Sequence, residues 1–296
     1  MLAAVMAVIA LNLGVTRVEP APFMGWNDAV RLTNGVVEVV VAPEVGRVVR
    51  YGFVDAPNVL WVPEDLGGKT ALQLGEWQNF GGDKLWNAPQ AAWVWPPDID
   101  LDGSVHRLEV RNQSLRLISP LSEKAGIRFE RDIRLNPDGT RVDFVNRMRN
   151  TGDQSREFAL WQVTNVDRPS QARLRVRPTA EFPKGWAFYP DSRVEDIEHT
   201  DRDGWLTMRR HAKYAYKVGA PANPFEIEAT GNWGRIVLRG EEGSGEGPYP
   251  DGGKARQLYG NGDERPYMEL EVVDRMVKLA PGEVRDFRTS WTLFRR

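Results

Sequence analysis

Cysteine is absent from the 296 residues of this chain. Its absence excludes disulfides, thiol nucleophiles and Cys-ligated metal sites, and says little about compartment, because exported proteins need not use disulfides. An excess of charge is absent too. The 39 Lys and Arg nearly cancel the 41 Asp and Glu, for a formal net charge of -2, and no tract of one sign appears. Nucleic acid is therefore not an expected partner. The three His are His106 in VHRLEV, His199 in EDIEHTDRDG and His211 in RRHAKYAYK, and none has a ligand-type neighbour at helical or zinc-finger spacing. No metal site is expected from them. The alternating acids Asp98, Asp100 and Asp102 read as a solvated turn rather than a calcium loop. Gly clusters that open a helix, as phosphate binding requires, are missing, and so is a Ser nucleophile elbow. No cofactor is expected.

Long apolar runs are also lacking, so no membrane span is expected in the mature chain. The nearest approach is MLAAVMAVIALNLGV at the start, residues 1–15, followed by Thr16 and Arg17. It resembles the apolar part of an export signal without the basic start or a small-x-small cleavage site. It reads as a remnant of an export signal or an N-terminal extension, the alternative being a buried first strand. Export to the periplasm or the medium is the corresponding expectation, with the cytoplasm as the other.

What is present is alternation. VRLTNGVVEVVVAPEVGRVVRYGFV, VHRLEVRNQSLRLISPL, AGIRFERDIRL and TRVDFVNRMRN alternate apolar and polar residues between turn signals such as Asn34-Gly35 and Asn136-Pro137-Asp138-Gly139. No helical stretch of three turns competes, and no internal repeat is visible. Strands persist to EVRDFRTSWTLFRR at the end. The expectation is an all-β chain, a large antiparallel sandwich formed as a single domain over residues 16–296. The Gly-rich segment Arg239 to Pro266 reads as an excursion from that domain or as a lid beside a site.

The densest stretch is EWQNFGGDKLWNAPQAAWVWPPD, Glu76 to Asp98, with Trp77, Trp86, Trp93 and Trp95 among amides, charges, Gly and Pro. Aromatic faces beside Asp83, Lys84, Asn87 and Gln90 suit a sugar, which offers C–H faces to stack and hydroxyls to bind. The alternative is that these Trp are simply core. In PYMELEVV, alternation puts Tyr267, Glu269 and Glu271 on one strand face, the two carboxylates roughly 6–7 Å apart. Enclosed, they would raise each other's pKa; on a solvated face they would be unremarkable.

Three landmarks together resemble the galactose mutarotase-like superfamily. NGVVEVVVAPEVGRVVRY is similar to its first hairpin, FGGDKLW (Phe80 to Trp86) to the epimerase segment His-Gly-Gly followed by Trp, and YMELEVVDRMVKLAPGEVRDFRTSWTLF to its closing strands. GGDKLWNAPQ followed by Trp-Pro-Pro is similar to an uncharacterised branch of that superfamily, a domain of unknown function. The resemblance implies a β-supersandwich and, for the epimerases, a Glu that takes the anomeric proton and a His pair that protonates the ring oxygen and holds the sugar. Phe80 stands where the first His would be, and WQVTN, with Gln162 or Val163, where the second would be.

The resemblance therefore implies a carbohydrate-binding protein whose catalysis is lost or altered. Glu269 is the retained acid and Glu271 the second choice; Lys84, Trp86, Gln90, Trp93, Trp95, Gln162 and Tyr267 are the binding residues. Lys84 suits a carboxylate-bearing sugar or a salt bridge to Asp83 or a neighbouring acid. Gln162 is expected on the concave sheet beside Glu269, with Trp161 turned into the sandwich. The partner expected is a small or oligomeric sugar. Two alternatives stand: an epimerase- or lyase-type enzyme with Glu269 as base and a non-standard acid such as His211, Lys84 or a Tyr, and a structural or protein-interaction module.

Overall fold

The first hairpin forms where the Asn-Gly signal places it, with Val30–Thr33 pairing antiparallel to Val37–Ala42. Gly35 takes a φ of 84°, open to glycine. The Asn34 side chain accepts from the backbone N–H groups of Val36 and Val37 and donates to the carbonyls of Asn136 and Gly139. The second turn signal is thus tied to the first across the sandwich. The computed structural model of the protein describes residues 15–190, 192, 198–242 and 247–296. The N-terminal run lies outside the described residues up to position 14.

All strand pairs are antiparallel and fall into two sheets. The 11-stranded sheet runs, neighbour to neighbour, Arg17–Pro20, Val30–Thr33, Val37–Ala42, Arg47–Phe53, Asp83–Ala88, Arg156–Asp167, Tyr267–Val273, Arg256–Gly260, Tyr216–Ala220 and Ala187–Phe188, with Val277–Leu279 joined to the start of Arg156–Asp167. The 10-stranded sheet runs His199–Arg202, Trp205–Met208, Gln171–Arg175, Glu226–Gly231, Gly234–Gly240, Val284–Phe294, Val142–Asn150, Ile127–Leu135, Ser114–Ile118 and Arg107–Arg111. Leu32, Val39, Tyr51, Leu160 and Leu270 of the first sheet meet Ile133, Phe144, Leu238 and Trp291 of the second in one core. Burial of this apolar layer is what holds the two sheets face to face.

The first sheet is covered on its other face as well, which explains why Val37–Ala42, Asp83–Ala88 and Tyr267–Val273 are buried at every residue. At one end of that face Val40, Ala42 and Val49 pack under Trp26, Leu66 and Phe80. In the middle, Trp86, Ala159, Trp161, Val163 and Val273 form a third cluster with Trp77 and Trp93 resting on it. Between these covers the face stays concave and open. No helix among the described residues is long and apolar enough to cross a membrane.

The described part of the Gly-rich segment is not an excursion; residues 243–246 of it lie outside the described residues. It contains the strand Arg256–Gly260, paired on both sides within the first sheet. Gly density marks only its flanks, while Leu258 and the buried Arg256 anchor it; the Arg256 guanidinium donates to the carbonyls of Arg175, Pro221 and Glu226.

Candidate functional site

The register of five adjacent strands lays out the concave face in rows. Trp86, Trp161 and Val273 lie side by side, then Lys84, Val163, Glu271 and Gln257, then Asn165, Glu269, Tyr259 and Lys217. Each row alternates with residues that face the other sheet. Aromatic, carboxylate and amide side chains are thereby collected on one surface from segments up to about two hundred positions apart in sequence.

The Gly-Gly of FGGDKLW works through close approach. Gly81 and Gly82 have φ of 70° and 65°. A Cβ there would lie 2.1 Å from the Trp61 carbonyl oxygen and 2.3 Å from that of Val48. Only glycine lets the strand Asp83–Ala88 enter the sheet here, which sets where Lys84 and Trp86 emerge. Trp86 is the hub of the Trp-rich stretch, with Trp161 at 5.1 Å, Trp93 and Trp95 at 6.1 Å and Trp77 at 6.4 Å between ring centroids. One carboxylate orients it. Asp102, ion-paired to the buried Arg47, accepts from the indoles of Trp77 (2.8 Å) and Trp86 (2.7 Å). Trp95, 52% exposed, presents its ring to solvent.

The two glutamates share the face and differ in surroundings. Glu271 is fully buried; Trp161 Nε1 (2.8 Å) and Lys217 Nζ (2.9 Å) donate to its Oε2, while Oε1 has no hydrogen-bond partner. Burial pushes its carboxyl up to about 7, against the pull of Lys217 and with a further push from Glu269. Glu269, 8% exposed, accepts from Asn165 Nδ2 at 3.0 Å and lies 3.5 Å from Lys84 Nζ. Lys84, 2% exposed, donates to Asn165 Oδ1 at 2.9 Å, and burial lowers its pKa against the opposing Glu269. Burial and the Glu269 carboxylate raise the pKa of Tyr259 and Tyr267, so both phenols stay protonated.

Above this floor runs a trough with two adjoining lobes. One, of about 480 Å³, is lined by Glu269, Tyr267, Asn79, Trp77, Trp86, Trp95, Asn261, Asp263 and Arg265. The other, of about 540 Å³, is lined by Trp93, Ala91, Tyr189, Ser192, Tyr216 and Asp251. Gln90, Trp161, Lys217 and Tyr259 belong to both. Among the described residues no group of three or more His, Cys, Asp or Glu is placed to hold a metal ion.

Of the sequence-derived candidates, Glu269, Trp86, Gln90, Trp95 and Tyr267 come together in the first lobe and Trp93 in the second. Three are placed differently. Glu271, fully buried, lines neither lobe. Gln162 faces the sandwich interior, donating to Asp83 (2.8 Å) and accepting from Asn146 and Thr289; Asp83 also accepts from Thr164 and pairs with Arg131. The alternation of this strand is as expected and its faces are exchanged. Leu160 joins the main core, and Trp161 faces the trough, because a buried polar network between the sheets accommodates Gln162 and a separate apolar cluster accommodates Trp161. Lys84 is sealed beneath the floor, where it pairs with Glu269 rather than Asp83 and lines neither lobe.

Phe80 fills the second core cluster with no exposure. No His lines either lobe. His106 is buried, held neutral by desolvation that pulls it down to about 4; His211 stacks on Tyr214. Lys217, Tyr259, Asn261, Asp251 and Tyr189 escaped sequence reasoning, and Trp161 was expected inside the sandwich. For Lys217 and Tyr259 the signal was alternation in AKYAYK and RQLYG, which names no face.

Comparison with solved structures decides what this architecture is. A galactose mutarotase-like protein from Clostridium acetobutylicum superposes with a TM-score of 0.56 at 11% identity, over 95% of this chain and 99% of that one. The fold is the galactose mutarotase-like β-sandwich. A galactose mutarotase related enzyme from Lactobacillus acidophilus matches with a TM-score of 0.55 at 9% identity, over 90% of this chain and 97% of that one. A TPR-domain containing protein from Parabacteroides distasonis gives 0.59 at 14% identity over 89% of this chain, which spans only 46% of that longer one. No protein-family model matches the sequence, and no curated protein matches it. At these identities the galactose mutarotase-like likeness is one of fold.

Proposed function

We propose that this chain is a carbohydrate-binding protein of the galactose mutarotase-like fold, with its sugar site in the trough on the concave sheet. The observation that carries the reading is the trough itself: indole rings on its wall, and carboxylate, amide and phenol groups on its floor. Stackable faces beside hydrogen-bonding groups fixed by burial are what a sugar needs. The names of the mutarotase-like neighbours point the same way, and the likeness of GGDKLWNAPQ to an uncharacterised branch accompanies it. Export belongs to the reading through residues 1–15. Neither Phe80 nor Gln162 lies in the trough, so the positions that would carry the epimerase His pair contribute no proton-transfer group to it.

A second reading, an epimerase- or lyase-type enzyme with Glu269 as base, draws on one observation. Glu271, pushed up to about 7, lies between Glu269 and the ammonium of Lys217, which lines both lobes. Such a trio places an accessible carboxylate and an ammonium donor on one floor. A purely structural module has no use for an open trough. Tryptophan fluorescence against a panel of neutral and acidic saccharides tests the reading, with Trp95→Ala in parallel and product analysis on every positive. A saturable shift that weakens in Trp95→Ala, with the sugar recovered unchanged, is expected. Altered sugar moves the conclusion to the enzyme and to Glu269→Gln. No shift with any saccharide overturns the site.

A further inference from the structure

Among the aromatic residues of the trough, each lobe has an indole that the other lacks. Trp95 lines the lobe that holds Glu269, and Trp93 lines the lobe that holds Asp251 and Tyr189. Their rings are nearly parallel, 22° apart, with centroids separated by 6.3 Å. That spacing is of the order of the distance between successive rings in a glycan chain. Between the lobes, Gln90 and Lys217 stand where two adjoining rings would meet, and Tyr259 offers a protonated phenol there.

The described lining carries three acids, Glu269, Asp263 and Asp251, against two cations, each of which stands beside an acid. Lys217 is spent on Glu271 at 2.9 Å, and Arg265 lies 3.8 Å from Asp65. Asp263 accepts from Asn261 and from the Arg265 backbone N–H, and Asp251 accepts from Gln257 and Tyr189 at 3.4 Å. Lys84, the residue that sequence reasoning offered for an acidic sugar, is beneath the floor. With every lining cation beside an acid, a carboxylated sugar gains no partner and pays to be desolvated.

From the paired lobes and the paired indoles we infer that the site takes a neutral oligosaccharide of at least two rings, the first in the Glu269 lobe against Trp95 and the next in the Asp251 lobe against Trp93. This rests on the carbohydrate reading above and extends it from a sugar to a chain. Stacking a second ring on an indole in an already formed lobe raises affinity by about tenfold.

Calorimetric titration of the full chain with a monosaccharide, disaccharide and trisaccharide, in α- and β-linked neutral series and one uronate-containing series, reads this directly. The expected result is a rise of about tenfold or more from monosaccharide to disaccharide in one neutral series. Trp93→Ala abolishes that rise, and an unchanged far-UV circular dichroism spectrum reports that the variant is folded. Ala91→Arg, which narrows the same lobe from an exposed position without removing core, has the same effect. Equal affinity for one ring and two, or a rise that survives both variants, overturns the chain while leaving the sugar site standing. Tighter binding of the uronate series overturns the assignment as neutral. Absence of binding by every saccharide removes the carbohydrate reading and this inference with it.

Discussion

Glu271→Gln should make the protein more stable at alkaline pH and leave it nearly unchanged near pH 4.5. In the folded state the carboxyl is fully buried, with one oxygen lacking any partner, and burial pushes its pKa from 4.5 up to about 7. The unfolded chain loses the same proton at the ordinary value. Between these two values the folded state binds more protons than the unfolded state, so this group's contribution to stability falls as pH rises from about 4.5 and is lost in full above about 7. At 1.36 kcal/mol per unit from 4.5 to about 7, the cost of keeping Glu271 ionised and buried is about 3–4 kcal/mol. Glutamine has the same shape, still accepts from Trp161 and Lys217, and carries no titrating proton. Urea unfolding of wild type and variant at half-unit steps from pH 4.5 to 8.5 gives the difference in stability, in which other titrating groups largely cancel. That difference should climb with pH and level off above about 7. A flat difference would mean the carboxylate is ionised throughout; a difference that falls with pH would mean the Lys217 ion pair outweighs burial. Either result would refute the reasoning.

Asp102→Asn should break the anchor of the Trp wall. It leaves the Arg47 guanidinium, itself fully buried, without its ion-pair partner, a loss that costs roughly 3–5 kcal/mol by urea unfolding and is accompanied by a change in Trp emission from Trp77 and Trp86. Gly82→Ala should destabilise by at least about 2 kcal/mol, since it adds left-handed strain to a clash with the Val48 carbonyl. Gly139→Ala has open space around its Cβ and should cost about 1 kcal/mol, from left-handed strain alone. Thermal melts of the two glycine variants side by side check that ordering.

The amino-acid sequence by itself determined the class of fold. Turn signals at Asn34-Gly35 and at Asn136 to Gly139, the period-two patterning of nearly every segment and the lack of helical stretches leave an antiparallel sandwich as the arrangement that buries the apolar residues. It also marked the Trp-rich stretch and the shared face of Tyr267, Glu269 and Glu271, because alternation along a strand is a local property. What alternation cannot say is which face of a strand meets which partner. For Arg156–Asp167 both faces are buried, one in the main core and one under the trough, so no hydrophobicity argument could assign Gln162 and Trp161. Only the tertiary structure decided that Gln162 belongs with Asp83 and Arg131 between the sheets, and that Trp161 belongs with Glu271 and Lys217. The same holds for Lys84, whose burial depends on Glu269 from a strand 185 positions away in sequence. The trough is a property of how separate strands are ordered side by side, and that order is set by packing between sheets, not by any one segment.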